Sequence, residues 1–163
     1  MFGFPRTVNE KAARTVAGVV AITGVVALAA GAQWLLIPLA YGFIARVLAG
    51  PTLSPLAQFA TRVAAPRLGP PKDVAGPPKR FAQGMGATIT TLGSVAYLAG
   101  SSTIADVCLA LLVLAATLES AFAFCLGCHV FNALMRIGLV PEAVCVECAN
   151  LASRRPHTDV PAA

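Results

Sequence analysis

Long runs without a charged residue constrain this chain more than any other feature. Residues 15–32 form an uncharged run of 18 residues, and residues 34–49, 81–100 and 103–125 form three further apolar segments. Only 12% of the 163 residues are charged, whereas a soluble domain carries about 25%. A helix of about 20 apolar residues is long enough to cross a bilayer. We therefore predict an all-α integral membrane protein, a four-transmembrane-helix bundle of two tight hairpins.

The positive charges lie on one side of these predicted spans. Cytoplasmic loops of membrane proteins are enriched in Lys and Arg, so both termini and the loop 50–80 are predicted to be cytoplasmic. The net charge of +5 then fits anionic lipids of the inner leaflet. Nucleic acid is not expected as a partner, because basic and aromatic residues are not interleaved. Apart from Arg46, near the end of the second span, the cations are Arg6, Lys11, Arg14, Arg62, Arg67, Lys72, Lys79, Arg80, Arg136, Arg154 and Arg155.

The N-terminal part of the chain also has features of a signal peptide. A basic segment precedes an apolar run that ends near Ala27-Leu28-Ala29, and small residues of this kind precede cleavage sites. The run continues almost directly into the second apolar segment, which favours a helical hairpin. Cleavage would leave three spans and would break the charge pattern.

These spans divide the chain into three parts. Residues 1–125 form the predicted membrane domain, residues 125–150 a cytoplasmic four-cysteine module, and residues 151–163 a flexible tail. The loop 50–80 holds seven of the twelve prolines and is predicted to be a stiff, basic connector. It begins with a short helix that Ser54 can cap and for which Pro55 suits the first turn. One face of this helix, either interfacial or a docking surface, carries Leu56, Phe59, Ala60 and Val63.

Two carboxylates and one cation fall within the predicted spans. Asp106 lies near the start of the fourth span, where it suits a capping box and the helix dipole. Glu119 lies deeper, and an ionised carboxylate in a membrane needs a partner. Arg46 is the cation at a similar depth. We predict an intramembrane ion pair between Arg46 and Glu119, with a structural role favoured over a proton relay.

The third span is weakly hydrophobic and rich in small residues. Small residues allow helices to approach closely in lipid, so this composition predicts helix packing. A small-molecule carrier built on this span is an alternative, and the small faces of spans one and three would permit a homodimer. The residues concerned are Gly84, Gly86, Gly93, Thr88, Thr90, Thr91 and Ser94.

Two CxxC pairs follow the last span and carry the clearest chemical signal. Cys125 and Cys128 are separated from Cys145 and Cys148 by 16 residues, a spacing typical of a zinc site. Four thiolates with no open position would form a structural centre. Thiol redox or sulfur transfer at Cys125 and Cys128 is the main alternative. Cys108 lies about 26 Å away along a helix and is predicted to be a buried apolar residue.

Other readings of this cysteine cluster remain open. CLGCH has the letters of a haem attachment motif, but such haem is normally attached on the outer face, and an iron–sulfur cluster could also use four thiolates. His129 is predicted to be a surface residue rather than a ligand. Between the pairs, residues 129–137 predict a short helix that Gly138 ends.

The chain resembles a bacterial family known as domain of unknown function 4395, whose members are small polytopic membrane proteins. The resemblance covers about residues 5–150. It is carried by RTVNE, RVLAGPTLSP, KRFAQGMG and ES…CLGCHVFNALMRIGLVPEAVCVEC. The resemblance brings no activity with it, but it implies a thiol or sulfur context beside thioredoxin-like and sulfurtransferase proteins. It also implies that the first CxxC pair is the more regular of the two.

Together, these observations predict a multi-pass protein of the bacterial inner membrane with a cytoplasmic cysteine centre. The leading expectation is a non-transporting membrane scaffold in which Cys125, Cys128, Cys145 and Cys148 bind zinc and present a docking face to a cytosolic partner. The alternative is a membrane thiol-redox or sulfur relay that works with a thioredoxin-like or rhodanese-like protein.

Overall fold

The computed structural model describes residues 7–140. The predictions for Cys145, Cys148 and the tail 151–163 therefore lie outside the described residues. The structure is mostly helical, as predicted, with one small two-stranded ribbon. Its long helices are α1 (Glu10–Ala30), α2 (Leu36–Ala49), α5 (Gly76–Leu98) and α6 (Ser102–Phe122), and its short elements are β1 (Thr7–Asn9), α3 (Pro55–Phe59), α4 (Ala65–Arg67), β2 (Asp73–Ala75) and α7 (Leu126–Arg136).

Three helical stretches are long and apolar enough to cross a membrane: Glu10–Ala30, Gln33–Thr52 and Ser102–Phe122. Helix α5 is equally long, at 23 residues, but its many Gly, Thr and Ser residues lower its hydropathy. Large apolar side chains cover the outside of the bundle, including the outer face of α5, where Leu92 is 58% and Leu98 72% exposed. An exterior with so many large apolar side chains is typical of a membrane protein.

The long helices pair differently from the two tight hairpins that the sequence predicts. Helices α5 and α6 do pack against each other, but α1 packs mainly on α6 and α2 packs mainly on α5. Small residues explain this choice of partner. A Cβ atom at Gly86 would lie 2.3 Å from the Phe43 ring, and one at Gly24 would lie 2.5 Å from Val113. The predicted packing role of small residues in α5 is confirmed at Gly86 and also at Gly93, which faces Leu36 and Cys108.

Polar contacts link both ends of α6 to α1 or to the turn that follows it. At one end the Arg14 guanidinium donates to the backbone carbonyl of Ser120 at 2.9 and 3.1 Å. A cation at the C-terminus of α6 also interacts favourably with the helix dipole. At the other end the Gln33 amide donates to Asp106 Oδ1 at 2.8 Å. Asp106 therefore links α6 to the turn that follows α1. The N-cap residue of α6, Ser101, makes no side-chain capping hydrogen bond.

The loop between α2 and α5 is ordered around a short helix, as predicted. The Ser54 hydroxyl accepts a hydrogen bond from the backbone N–H of Ala57, which confirms the predicted cap, and Pro55 begins α3. The helix continues through a π-helical turn, Ala60–Ala64, and packs on α1. Its buried face is made by alanines, whereas Phe59 is 55% exposed. Beyond it, β2 pairs antiparallel with β1, a ribbon that the sequence did not predict.

Candidate dithiol site

Cys125 and Cys128 lie at the beginning of a helix that follows directly on α6. Helix α6 ends at Phe122, and Ala123 turns the chain with a left-handed backbone (φ 56°). Cys125 is the N-cap of α7 and Cys128 lies in its first turn, with the two Sγ atoms 2.7 Å apart. The predicted helix exists but begins at Leu126, three residues before the predicted start. Both sulfurs therefore lie at the positive end of a helix dipole, which stabilises a thiolate.

Gly127, between the two cysteines, fixes this helix against α5. Its backbone lies so close to Ala82 that a Cβ atom would be 2.5 Å from the Ala82 Cα. Phe81 and Phe131 add a ring contact between the same two helices, with centroids 5.7 Å apart. The start of α7 is therefore held against the first turns of α5, and Cys125 is 94% buried there, with 6% of its surface exposed.

Glu119 pairs with Lys79, so the predicted ion pair with Arg46 is wrong as a direct contact. The Lys79 ammonium lies 2.5 Å from Glu119 Oε1, with side-chain exposures of 9% and 15%. The Arg46 guanidinium instead donates to Gln83 Oε1 at 2.8 Å and to the Ser54 hydroxyl at 3.4 Å, and it stacks on Phe43. The Arg46 guanidinium therefore donates its hydrogen bonds to neutral acceptors. Glu119 interacts with it only electrostatically, without a direct contact.

The sequence interpretation missed Lys79 because it began the third span at residue 81. The helix begins at Gly76, with Pro77 and Pro78 in its first turn. Prolines at this point are a helix-start signal that could have been used. Once the helix is extended, Lys79 falls on the same face as Gly86 and Thr90, which are buried. Its side chain therefore points into the bundle and not toward water.

The two thiols differ in acidity because they share one hydrogen bond. Cys128 donates to Cys125, and this hydrogen bond, together with the Lys79 ammonium, lowers the pKa of the Cys125 thiol. The pKa of Cys128 is raised, first by the same hydrogen bond, which holds its proton, and then by burial. Cys125 is therefore the more acidic thiol of the pair, and Cys128 donates the hydrogen bond between the two sulfurs.

The other two candidate residues take no part in the hydrogen bond between the two sulfurs. Cys108 is buried on α6 against Gly93, which confirms the prediction of a small buried residue. His129 is exposed and stacks on Phe124 with centroids 4.1 Å apart, and its Nδ1 contacts the Cys125 carbonyl at 3.0 Å. It lies on the surface, as predicted. Across residues 7–140, no group of three or more His, Cys, Asp or Glu side chains converges as a metal site.

The fold and the site together define a small bundle of membrane-type helices with a CxxC pair at a helix start. The model of the family described as domain of unknown function (DUF4395) matches residues 8–136. The chain belongs to this family, and the resemblance identified from the sequence is confirmed. No curated protein and no solved structure matches the chain.

Proposed function

We propose that this protein is a membrane-embedded thiol–disulfide exchange component. In this proposal Cys125 and Cys128 cycle between dithiol and disulfide and exchange electrons with a soluble thioredoxin-like or rhodanese-like protein. The observation that carries the proposal is the 2.7 Å approach of the two sulfurs at a helix N-terminus. This geometry requires little movement to form a disulfide, and Lys79 beside it supports a thiolate.

The unequal exposure of the two sulfurs assigns them different roles. Cys128 is partly exposed, so a partner thiolate attacks the Cys128 sulfur of the disulfide. A partner–Cys128 bond forms, the bond to Cys125 breaks, and its electron pair leaves on the buried Cys125 sulfur. A leaving thiol with a lowered pKa departs faster. A second partner thiolate then attacks the partner's own sulfur and releases Cys128, so that the partner is oxidised and this chain is reduced.

The topology proposed for this function has four spans, with both termini in the cytoplasm of a bacterial inner membrane. Helix α5 contacts the turn Gln33–Leu35 near one end and β1 and α7 near the other. It therefore runs the full height of the bundle beside α2 and α6. Its outer face carries Leu92, Val95 and Leu98 together with two threonines, whereas Thr90 and Ser94 are buried against its neighbours. Crossing as a fourth span, it would place the CxxC pair at the inner surface.

Zinc binding by Cys125, Cys128, Cys145 and Cys148 remains the competing proposal and rests on the spacing in the sequence. In that case the module would be a structural docking site for a cytosolic partner. The two proposals differ in the behaviour of the first pair. Thiolates in a closed zinc site react slowly and are all used by the metal, whereas a redox pair oxidises reversibly without metal.

One experiment on the detergent-purified full chain separates these proposals. The zinc content is measured, and the redox state of the thiols is followed in glutathione buffers of graded potential. We expect a reversible two-electron transition that is lost in Cys125→Ser and Cys128→Ser and kept in Cys108→Ser. Stoichiometric zinc, with thiols that do not titrate until the metal is removed, would reject the exchange function.

A further inference from the structure

An apolar cavity of about 170 Å³ extends from the middle of the bundle to the dithiol site. Its walls come from α1, α5 and α6, where Val16, Val20, Ile89 and Leu112 line it. Near its other end lie Glu119, Cys125 and the first residues of α7. The cavity therefore extends from the depth at which lipid chains would surround the bundle to the sulfur of Cys125.

This cavity reaches the outer surface of the bundle. Leu111, Leu114 and Leu126 belong to its lining and are also exposed. In a membrane the side chains that are exposed at this level face lipid, so the natural route into the cavity is from the bilayer. A water-soluble thiol compound would have to cross apolar surface to reach it, whereas a lipid-soluble molecule would not.

The two sulfurs face different surroundings. Cys125 lines the cavity, while Cys128 is outside the lining and partly exposed. A redox pair with one sulfur toward an apolar cavity and the other toward solvent can react with two different partners. Gln83 lies in the cavity wall and its oxygen accepts from Arg46, so its NH2 group is left to donate to a carbonyl oxygen of a molecule with an apolar body.

We propose that this cavity binds a membrane quinone, which takes two electrons from the Cys125–Cys128 dithiol. This inference rests on the proposed exchange function and names the oxidant of the same site. A quinone combines the required properties, because it is soluble in lipid, has a flat ring that fits a small apolar cavity, and accepts electrons in pairs.

The chemistry balances with the groups that the site contains and a proton from water. The Cys125 thiolate adds to a ring carbon, so that a C–S bond forms and an electron pair moves onto a ring oxygen. The Cys128 sulfur then attacks the Cys125 sulfur. The disulfide bond forms, the C–S bond breaks, and its electron pair stays on the ring. One ring oxygen takes the proton of the Cys128 thiol, and the other takes a proton from water, which replaces the one that Cys125 released on ionisation. The Glu119 carboxylate at the cavity wall is placed to carry one of them. The dithiol is oxidised and the quinone becomes a hydroquinone.

The test uses the full-length protein in detergent, reduced, without oxygen, and ubiquinone-1 as the probe. We expect hydroquinone to form in proportion to the thiols lost from the pair, in wild type and Cys108→Ser but not in Cys125→Ser. Reduction of the oxidised pair by dithiothreitol is measured in parallel as an independent readout of thiol exchange.

A cavity variant tests the place of binding. Ala115→Phe fills the cavity, and Ala110→Phe on the same helix, exposed and outside the lining, is its matched control. Ala115→Phe should slow quinone reduction about tenfold or more, because the added ring occupies the space that the quinone ring needs. Its reduction by dithiothreitol should be unchanged, since that reaction occurs at Cys128, and the control should match wild type in both assays.

The other outcomes separate the two levels of the proposal. Normal thiol exchange without quinone reduction in wild type would overturn the quinone inference and leave the exchange function intact. Equal quinone reduction in Ala115→Phe and wild type would also overturn it, because the reaction would not need the cavity. A pair that neither oxidises nor reduces reversibly would reject the exchange function and the quinone inference together.

Discussion

Lys79 is the residue on which the electrostatics of the site depend. Its ammonium contacts Glu119 and also acts on both sulfurs, so one cation serves a carboxylate and a thiolate at once. An ion pair this buried stabilises little by itself, because both charges lose their hydration. Its main effect is on the chemistry of the site, because the Lys79 ammonium stabilises the thiolate form of Cys125.

Lys79→Met should raise the pKa of Cys125. The thiolate loses its cation while Glu119, which disfavours the thiolate, remains in place. A pKa below the ordinary thiol value means that Cys125 is reactive at lower pH, so the midpoint of its pH profile of alkylation should move upward in the variant. Rates are measured with iodoacetamide in Cys108→Ser. Arg80→Met, which removes the adjacent exposed cation, should leave the midpoint in place, and an unshifted profile in Lys79→Met would contradict the role assigned to Lys79.

Gly127→Ala should destabilise the protein and disturb the cysteine pair. The new Cβ would lie 2.5 Å from the Ala82 Cα, and neither backbone can move without displacing a helix. We expect a loss of about 1–3 kcal/mol in the free energy of unfolding, the usual cost of overpacking. Thermal unfolding in detergent measures it. The control is Gly84→Ala, where nothing lies within 4 Å and the higher helix propensity of Ala should add stability.

At the scale of elements, one buried ion pair links α5 with α6. Lys79→Glu or Glu119→Lys alone would bring like charges together in a buried place and should cost about 3–5 kcal/mol, as for a broken buried pair. The double reversal should recover most of this loss, measured by unfolding in detergent. Arg46→Glu combined with Glu119→Lys should not recover it, because Arg46 contacts Gln83 and Ser54. Recovery by the Arg46 combination alone would reject the Lys79 pairing.

The sequence was sufficient for elements whose signals are local. The apolar runs, the Ser54 cap with Pro55, and Gly138 after α7 each act within a few residues, and the structure has all of them. It was insufficient where the answer depends on a distant segment. The partner of Glu119 depends on where α5 begins, forty residues away. The pairing of α1 with α6 depends on matching surfaces, which apolar composition does not encode.

At the scale of the whole molecule, the four-span topology makes a labelling prediction. Single cysteines introduced at Ala32 and at Ser101, in an otherwise cysteine-free chain, should react in intact cells with a membrane-impermeant maleimide. A cysteine at Leu68 should react only after the inner membrane is opened. Ala32 and Ser101 lie in the short turns at one end of the bundle, where Gln33 contacts Ser102, and Leu68 lies at the other end beside Lys11. Different labelling of Ala32 and Ser101 would show that α5 does not cross.

The pairing of the first membrane helix with the last has a consequence for biosynthesis. Arg14 and its acceptor Ser120 are 106 residues apart. At about 5–20 residues per second, the ribosome needs roughly 5 to 20 seconds to make the intervening chain. During that time α1 lacks the surface of α6 on which it finally packs. The dithiol site joins α5, α6 and α7, so it too is completed only after α7 has been made.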